Sequence, residues 1–159
     1  MDLKSLGKFE QGALISGVVA FVVSLFSAYV RVSVDGGDDI PGFNVSAGTN
    51  AWTSFATLGM LLILVATALV AVKAFAKDVL PAGIPWTLIA LVAAAVGTVL
   101  LILRAFTVGD SGLSGVSVGP GWSGYVLFIA SIALTVFVAL LFKESGEKIP
   151  EINRDKPAA

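Results

Sequence analysis

The stretch WTSFATLGMLLILVATALVAV, residues 52–72, decides the class of this protein. It contains no Asp, Glu, Lys or Arg, and it is long enough as a helix to cross a hydrocarbon core about 30 Å thick. A soluble core helix carries charge on one face at helical spacing, whereas this run is apolar all round, so lipid is the solvent it expects. Three more runs of the same kind stand at 13–30, 86–103 and 125–142, each free of charged residues. The reading is an all-α membrane protein, a four-transmembrane-helix bundle. Its spans are joined by outer loops 31–51 and 104–124 and an inner loop 73–85, between an N-terminus 1–12 and a tail 143–159.

Composition agrees. Of the 159 residues, 57% are hydrophobic and 13% charged, and mean hydropathy is +0.94. A soluble domain is nearer half apolar and a quarter charged. There is no histidine and no cysteine. Disulfides, thiolate nucleophiles, Cys/His zinc sites, histidine-ligated haem and Ser-His-Asp triads are therefore excluded. The net charge of −1 offers no basic face to nucleic acid.

Lys4 and Lys8 precede the first run in the manner of a secretion leader, but the run is long and Phe26 occupies the −3 position of the nearest small-residue site. An uncleaved span is expected, with residues 1–11 as a short interfacial helix. Lys4, Lys8, Lys73, Lys77, Lys143, Lys148, Arg154 and Lys156 lie on the side that holds both termini; only Arg31 and Arg104 lie on the other. This asymmetry places both termini in the cytoplasm and the protein in the plasma membrane.

The halves resemble each other. Arg31, Asp35, Val45-Ser46-Ala47-Gly48 and Trp52 are followed, in the same order, by Arg104, Asp110, Val116-Ser117-Val118-Gly119 and Trp122, which suggests a duplicated helical hairpin in parallel orientation. Each outer loop has alternating β-branched and polar residues around glycines. Residues 30–34 with 43–46, and 106–108 with 115–118, predict two β-hairpins forming a small extracytoplasmic cap. In the inner loop Pro81 and Pro85 break the helices, and Pro85 suits the first turn of the third span. Trp52, Trp86 and Trp122 read as interfacial anchors.

Arg31 and Arg104 are the candidate contacts for an anionic lipid headgroup or for carboxylates of a partner, because guanidinium bonds both bidentately. The plainer alternative, which the ends of the spans favour, places each at a helix C-terminus, where the dipole suits a cation and Asp35 or Asp110 lies near. Asp35, Asp38 and Asp39 lack the spacing of a calcium loop and read as a solvated turn. Asn44-Val45-Ser46 matches the glycosylation sequon. Ala13 and Gly17, Ala20 and Ser24, and Ala93 and Gly97 form small-x3-small faces for helix packing, within the bundle or against a partner. Neither a metal, nor a cofactor, nor a catalytic constellation is expected, and the spans hold no ionisable group for a proton relay or ion site.

Ser24-Leu25-Phe26-Ser27-Ala28-Tyr29, the Val/Ser/Gly loop and Asn50-Ala51-Trp52 with Phe55 resemble small four-helix membrane proteins of unknown function from actinobacteria. Many of those carry Pro-Trp-Tyr where this chain has Ser27-Ala28-Tyr29. The resemblance covers the first two spans and implies a topology without an activity. The plan is also similar to that of claudins, without their loop cysteines. The expected function is a non-catalytic accessory or scaffolding subunit of a larger membrane assembly, respiratory or envelope-building. The alternative is a lipid or small-solute carrier or pore with a headgroup site at the outer surface.

Overall fold

The computed structural model describes residues 6–35, 44–108 and 115–149. It is mostly helical, with helices α1 (Lys8–Ser24), α2 (Ala56–Phe75), α3 (Trp86–Thr107) and α4 (Trp122–Ser145), and strands β1 (Val30–Asp35), β2 (Asn44–Thr49) and β3 (Val116–Pro120). A single 3-10 turn at Lys77–Val79 links α2 to α3. Three helices, α2, α3 and α4, are long and apolar enough to cross a membrane, with mean hydropathies of 2.4, 2.5 and 2.7 over their most apolar windows. The chain is thus a multi-pass membrane protein.

The helices form a ring in which each packs on two neighbours, α1 on α2 and α4, and α3 on α2 and α4. Small residues permit this. Gly59 of α2 and Gly97 of α3 face each other so closely that a Cβ on Gly97 would stand 2.8 Å from the Gly59 carbonyl oxygen. A Cβ on Gly17 would overlap the Thr67 side chain, and one on Gly12 would meet the Phe137 ring. Large side chains fill the middle of the ring, including Met60, Ile63, Leu101, Leu127, Leu134 and Val138, while Ile15, Leu58, Val92 and Ile129 point outward.

The first helix departs from the reading of 13–30 as one span. It begins at Lys8, so residues 8–11 continue into it rather than forming a separate interfacial helix, and it ends at Ser24 after 17 residues. At 1.5 Å per residue it is roughly 25 Å long, less than the hydrocarbon thickness. The chain tightens as Leu25 and Phe26 donate to Val22 and Val23 carbonyls, and it is then tied to the loop beyond: Ala51 N–H donates to Ser24 O at 3.2 Å and Tyr29 N–H to Thr49 O at 2.9 Å. Val30 starts a strand. Hydropathy cannot separate the two fates, because a valine is apolar in either.

The strands form one antiparallel sheet in the order β2-β1-β3. The first outer loop supplies a hairpin of β1 and β2, whereas the second, among the described residues, supplies β3 alone. Residues 106 and 107, read as the start of a second hairpin, are instead the last turn of α3, in which Ala105 is buried and Phe106 stacks on Phe128 at 6.2 Å between centroids. Helical packing on α4 overrides the weak strand preference of Phe-Thr-Val. The repeated Val-Ser-x-Gly motifs flank β1 in identical register: Val45 and Val116 both oppose Val34, Ser46 and Ser117 oppose Ser33, and Gly48 and Gly119 oppose Arg31. α4 opens after Gly121 and stops at Gly146, whose φ of 66° is the left-handed conformation that ends helices at glycine.

Candidate functional site

Because β1 alternates, Val30, Val32 and Val34 lie on one face of the sheet and Arg31 and Ser33 on the other. On the polar face Arg31 stands exposed between two glycines, and Ser33 has a serine directly opposite on each side, Ser46 and Ser117. The Arg31 stem runs beside Gly121, its Cγ 3.2 Å from where a Cβ there would sit. Arg31 therefore belongs to a strand, not to a helix C-terminus as its place after the first apolar run had suggested. The helix dipole does not account for it.

Arg104 does occupy the last turn of α3. It is half-buried, its guanidinium lies 5.7 Å from the centroid of the Phe55 ring, and its Nε is buried with no hydrogen-bond partner among the described residues. Beside it, Tyr29 is 1% exposed, donates its hydroxyl to the Leu101 carbonyl and meets Phe128 edge-on at 6.4 Å. The two arginines thus share an end of the molecule but differ in environment: one is an exposed strand residue, the other a half-buried helix residue over an aromatic ring. Asp110, Asp38 and Asp39 lie outside the described residues, as does the side chain of Asp35, so the suggested local pairs and the acidic turn fall outside them too. The same holds for the Asn44 side chain of the sequon.

Trp52 and Trp122 sit at the sheet end and Trp86 at the opposite end. The Trp52 indole donates to Ser24 Oγ at 3.0 Å and meets Phe21 edge-on. Trp122 is half exposed beside Phe26, with ring centroids 5.4 Å apart. Trp86 donates to the Pro81 carbonyl at 3.1 Å. Of the small residues, Ala13, Gly17, Ala20 and Ser24 are buried along α1, and Ala93 and Gly97 along α3.

In the middle of the bundle the hydroxyls are engaged internally. Thr98 donates to the Ala94 carbonyl at 2.8 Å, its Oγ1 lies 3.1 Å from the Ser131 carbonyl of α4, and it approaches Thr135 Oγ1 at 3.2 Å. Thr67 donates to Ile63 O and Ser131 to Phe128 O. These bonds satisfy polar groups that lipid could not.

The opposite end holds a cluster that sequence reading missed. Glu147, which the sequence places in the tail 143–159, folds back onto α3. Its carboxylate accepts the N–H of Thr87 at 3.0 Å, the N–H of Leu88 at 3.3 Å and the Thr87 hydroxyl at 2.7 Å, and it pairs with Lys73 of α2. Lys73 also donates to the Thr87 hydroxyl. A carboxylate here satisfies the orphan donors of the α3 N-terminus and meets the positive end of its dipole, which the Pro85 N-cap cannot do. Burial pushes the Glu147 carboxyl up, but hydrogen bonds from Lys73, Thr87 and the Leu88 N–H, with the Lys73 charge, overcome this and hold it below the ordinary value. The available signal was Pro85 followed by a helix without a capping side chain, which leaves an acceptor to be found elsewhere.

Next to this cluster lies a cavity of about 190 Å³ with walls from all four helices. Among the described residues, no three His, Cys, Asp or Glu side chains come together as a metal site. Comparison with protein-family models, curated proteins and solved structures finds no match to this chain.

Proposed function

We propose that this chain is a non-catalytic accessory or scaffolding subunit of a larger complex in the plasma membrane. The observation that carries the reading is how the bundle divides its side chains. The interior is closed by glycines, alanines, a few large apolar residues and hydroxyls, of which those of Thr67, Thr98, Ser131 and Thr135 are bonded to carbonyls, while each helix turns large apolar side chains outward. Such a body offers lateral surface to lipid and to neighbouring spans, and no reactive group within its membrane core.

In this reading α1 is a fourth span. It lies alongside α2 and α4 in the ring, and exposed Leu25 and Phe26 extend its apolar surface beyond Ser24. Both termini are cytoplasmic, with Lys8, Lys73, Lys77, Lys143 and Lys148 at that face and the sheet outside. Extraction from native membranes in mild detergent, followed by native mass spectrometry, tests the proposal: a stoichiometric companion protein is expected, and a clean monomer with none would overturn it.

A second reading, a carrier or pore with an anionic-headgroup site at the outer surface, draws on Arg31. Its exposed guanidinium between Gly48 and Gly119, beside the serine row, offers charge and hydroxyls to a phosphate. Arg31→Gln with Arg104→Gln should then reduce anionic lipid co-purification; unchanged lipid would remove this reading.

A further inference from the structure

The ring of helices is closed through its middle but opens near Glu147 into the cavity of about 190 Å³. An apolar cavity of about 150 Å³ already admits a benzene-sized guest, so this one has room for a small head and the start of a chain. Its walls are divided in character. Leu69 of α2 and Leu141 of α4 make an apolar lining; Glu10 of α1 and Glu144 of α4 bring carboxylates from two helices; Lys73 and Trp86 also stand in the wall.

Charge and pre-organisation narrow the guest. The Lys73 ammonium is neutralised by Glu147, the one ion pair among the described residues, so the carboxylates of Glu10 and Glu144 set the sign of the lining. Glu10 is held in place by the Gly7 N–H at 3.0 Å, and the Trp86 ring by its bond to Pro81. Glu144 and Ser145 are exposed, so the cavity communicates with solvent. Phosphate or carboxylate heads would be repelled. A small hydrated metal ion would gain nothing from the leucines and the indole.

We propose that this cavity binds an amphiphilic ammonium: a positively charged amine head between Glu10 and Glu144, beside the Trp86 indole, with an alkyl segment on Leu69 and Leu141. Carboxylates accept the amine's hydrogen bonds, the indole adds cation–π attraction, and burial of the alkyl segment supplies the hydrophobic term. The ethanolamine headgroup of a membrane lipid and a free alkylamine present the same chemistry.

The test uses the full chain in dodecyl maltoside micelles, with Trp52→Phe and Trp122→Phe leaving Trp86 as sole reporter. Titration with dodecylammonium should give a saturable change in Trp86 emission, whereas dodecanol and dodecanoate should not. Calorimetry on the unsubstituted chain with the same three amphiphiles repeats the comparison without relying on any variant. Glu10→Gln with Glu144→Gln should weaken dodecylammonium binding by about tenfold or more. Equal binding of dodecanol, or an unchanged midpoint in that variant, would overturn the proposal. Doping the micelles with phosphatidylethanolamine distinguishes the sources: a midpoint shifted to higher dodecylammonium assigns the lipid headgroup, and an unshifted one the free amine.

Discussion

Gly48 and Gly119 oppose the same residue, Arg31, from the two sides of β1, yet they are glycines for different reasons. A Cβ on Gly48 would stand 2.1 Å from the Ser27 carbonyl oxygen, so the turn after α1 closes only over a bare backbone. A Cβ on Gly119 meets nothing within 4 Å. Gly48→Ala should therefore destabilise the protein by about 1–3 kcal/mol, the usual cost of overpacking, while Gly119→Ala should leave stability nearly unchanged. Parallel thermal unfolding in detergent, read by circular dichroism, distinguishes the two. Equal losses would show that the β2–turn contact does not limit stability.

Gly97 sets the approach of α2 and α3. With 2.8 Å between its hypothetical Cβ and the Gly59 carbonyl oxygen, and 3.2 Å to Ile63, Gly97→Ala should force the helices apart, and Gly97→Ile should do so more severely. The expected result is a graded fall in midpoint, Gly97→Ile below Gly97→Ala below wild type, during denaturation by SDS in mixed micelles.

Glu147 links stability to pH. Its carboxyl is held below the ordinary 4.5, so the folded state gains stability at neutral pH, and that gain is lost as pH falls below 4.5 through the folded value. Glu147→Gln should cost about 1–2 kcal/mol at pH 7, at the modest end for charged bonds because the Lys73 side chain is 37% exposed. The difference between variant and wild type should shrink on acidification. A constant difference from pH 7 to pH 3 would rule out the charged carboxylate as its source.

Tyr29→Phe removes the hydroxyl that bridges the turn after α1 to the Leu101 carbonyl, while keeping the ring against Phe128. A loss of about 1 kcal/mol is expected, with slower tryptic cleavage of wild type than of the variant at Arg31.

Membrane topology is accessible to labelling. In intact cells a membrane-impermeant maleimide should modify Ser46→Cys on β2 and spare Lys148→Cys beyond α4, with both labelled after permeabilisation. The reverse pattern would invert the proposed orientation.

Much of the architecture could be read from single residues and their spacing. The absence of charge from 52–72, 86–103 and 125–142 marks α2, α3 and α4, and the alternation from Val30 to Val34 marks β1. Glycines and alanines at helical spacing signalled close helix faces without naming their neighbours. Gly17 meets Thr67 and Gly97 meets Gly59, pairs far apart in the chain. Of the cluster around Glu147 only the uncapped start of α3 after Pro85 was legible, because nothing local in Ser145-Gly146-Glu147 indicates that the carboxylate reaches the first turn of a helix some 60 positions earlier.

By itself the sequence determined the solvent, since transfer of apolar side chains out of water depends on composition and run length, whatever their neighbours. It also determined that Val-Ser-x-Gly occurs twice. Only the tertiary structure decided that both copies pair with one strand, that the first helix ends at Ser24 while the third continues through Thr107, and that a tail carboxylate caps α3. The strand pairing, the end of α1 and the cap on α3 rest on backbone donors and acceptors finding partners distant in sequence, and the continuation of α3 rests on Phe106 stacking against Phe128; hydropathy carries no information about which partner is within reach.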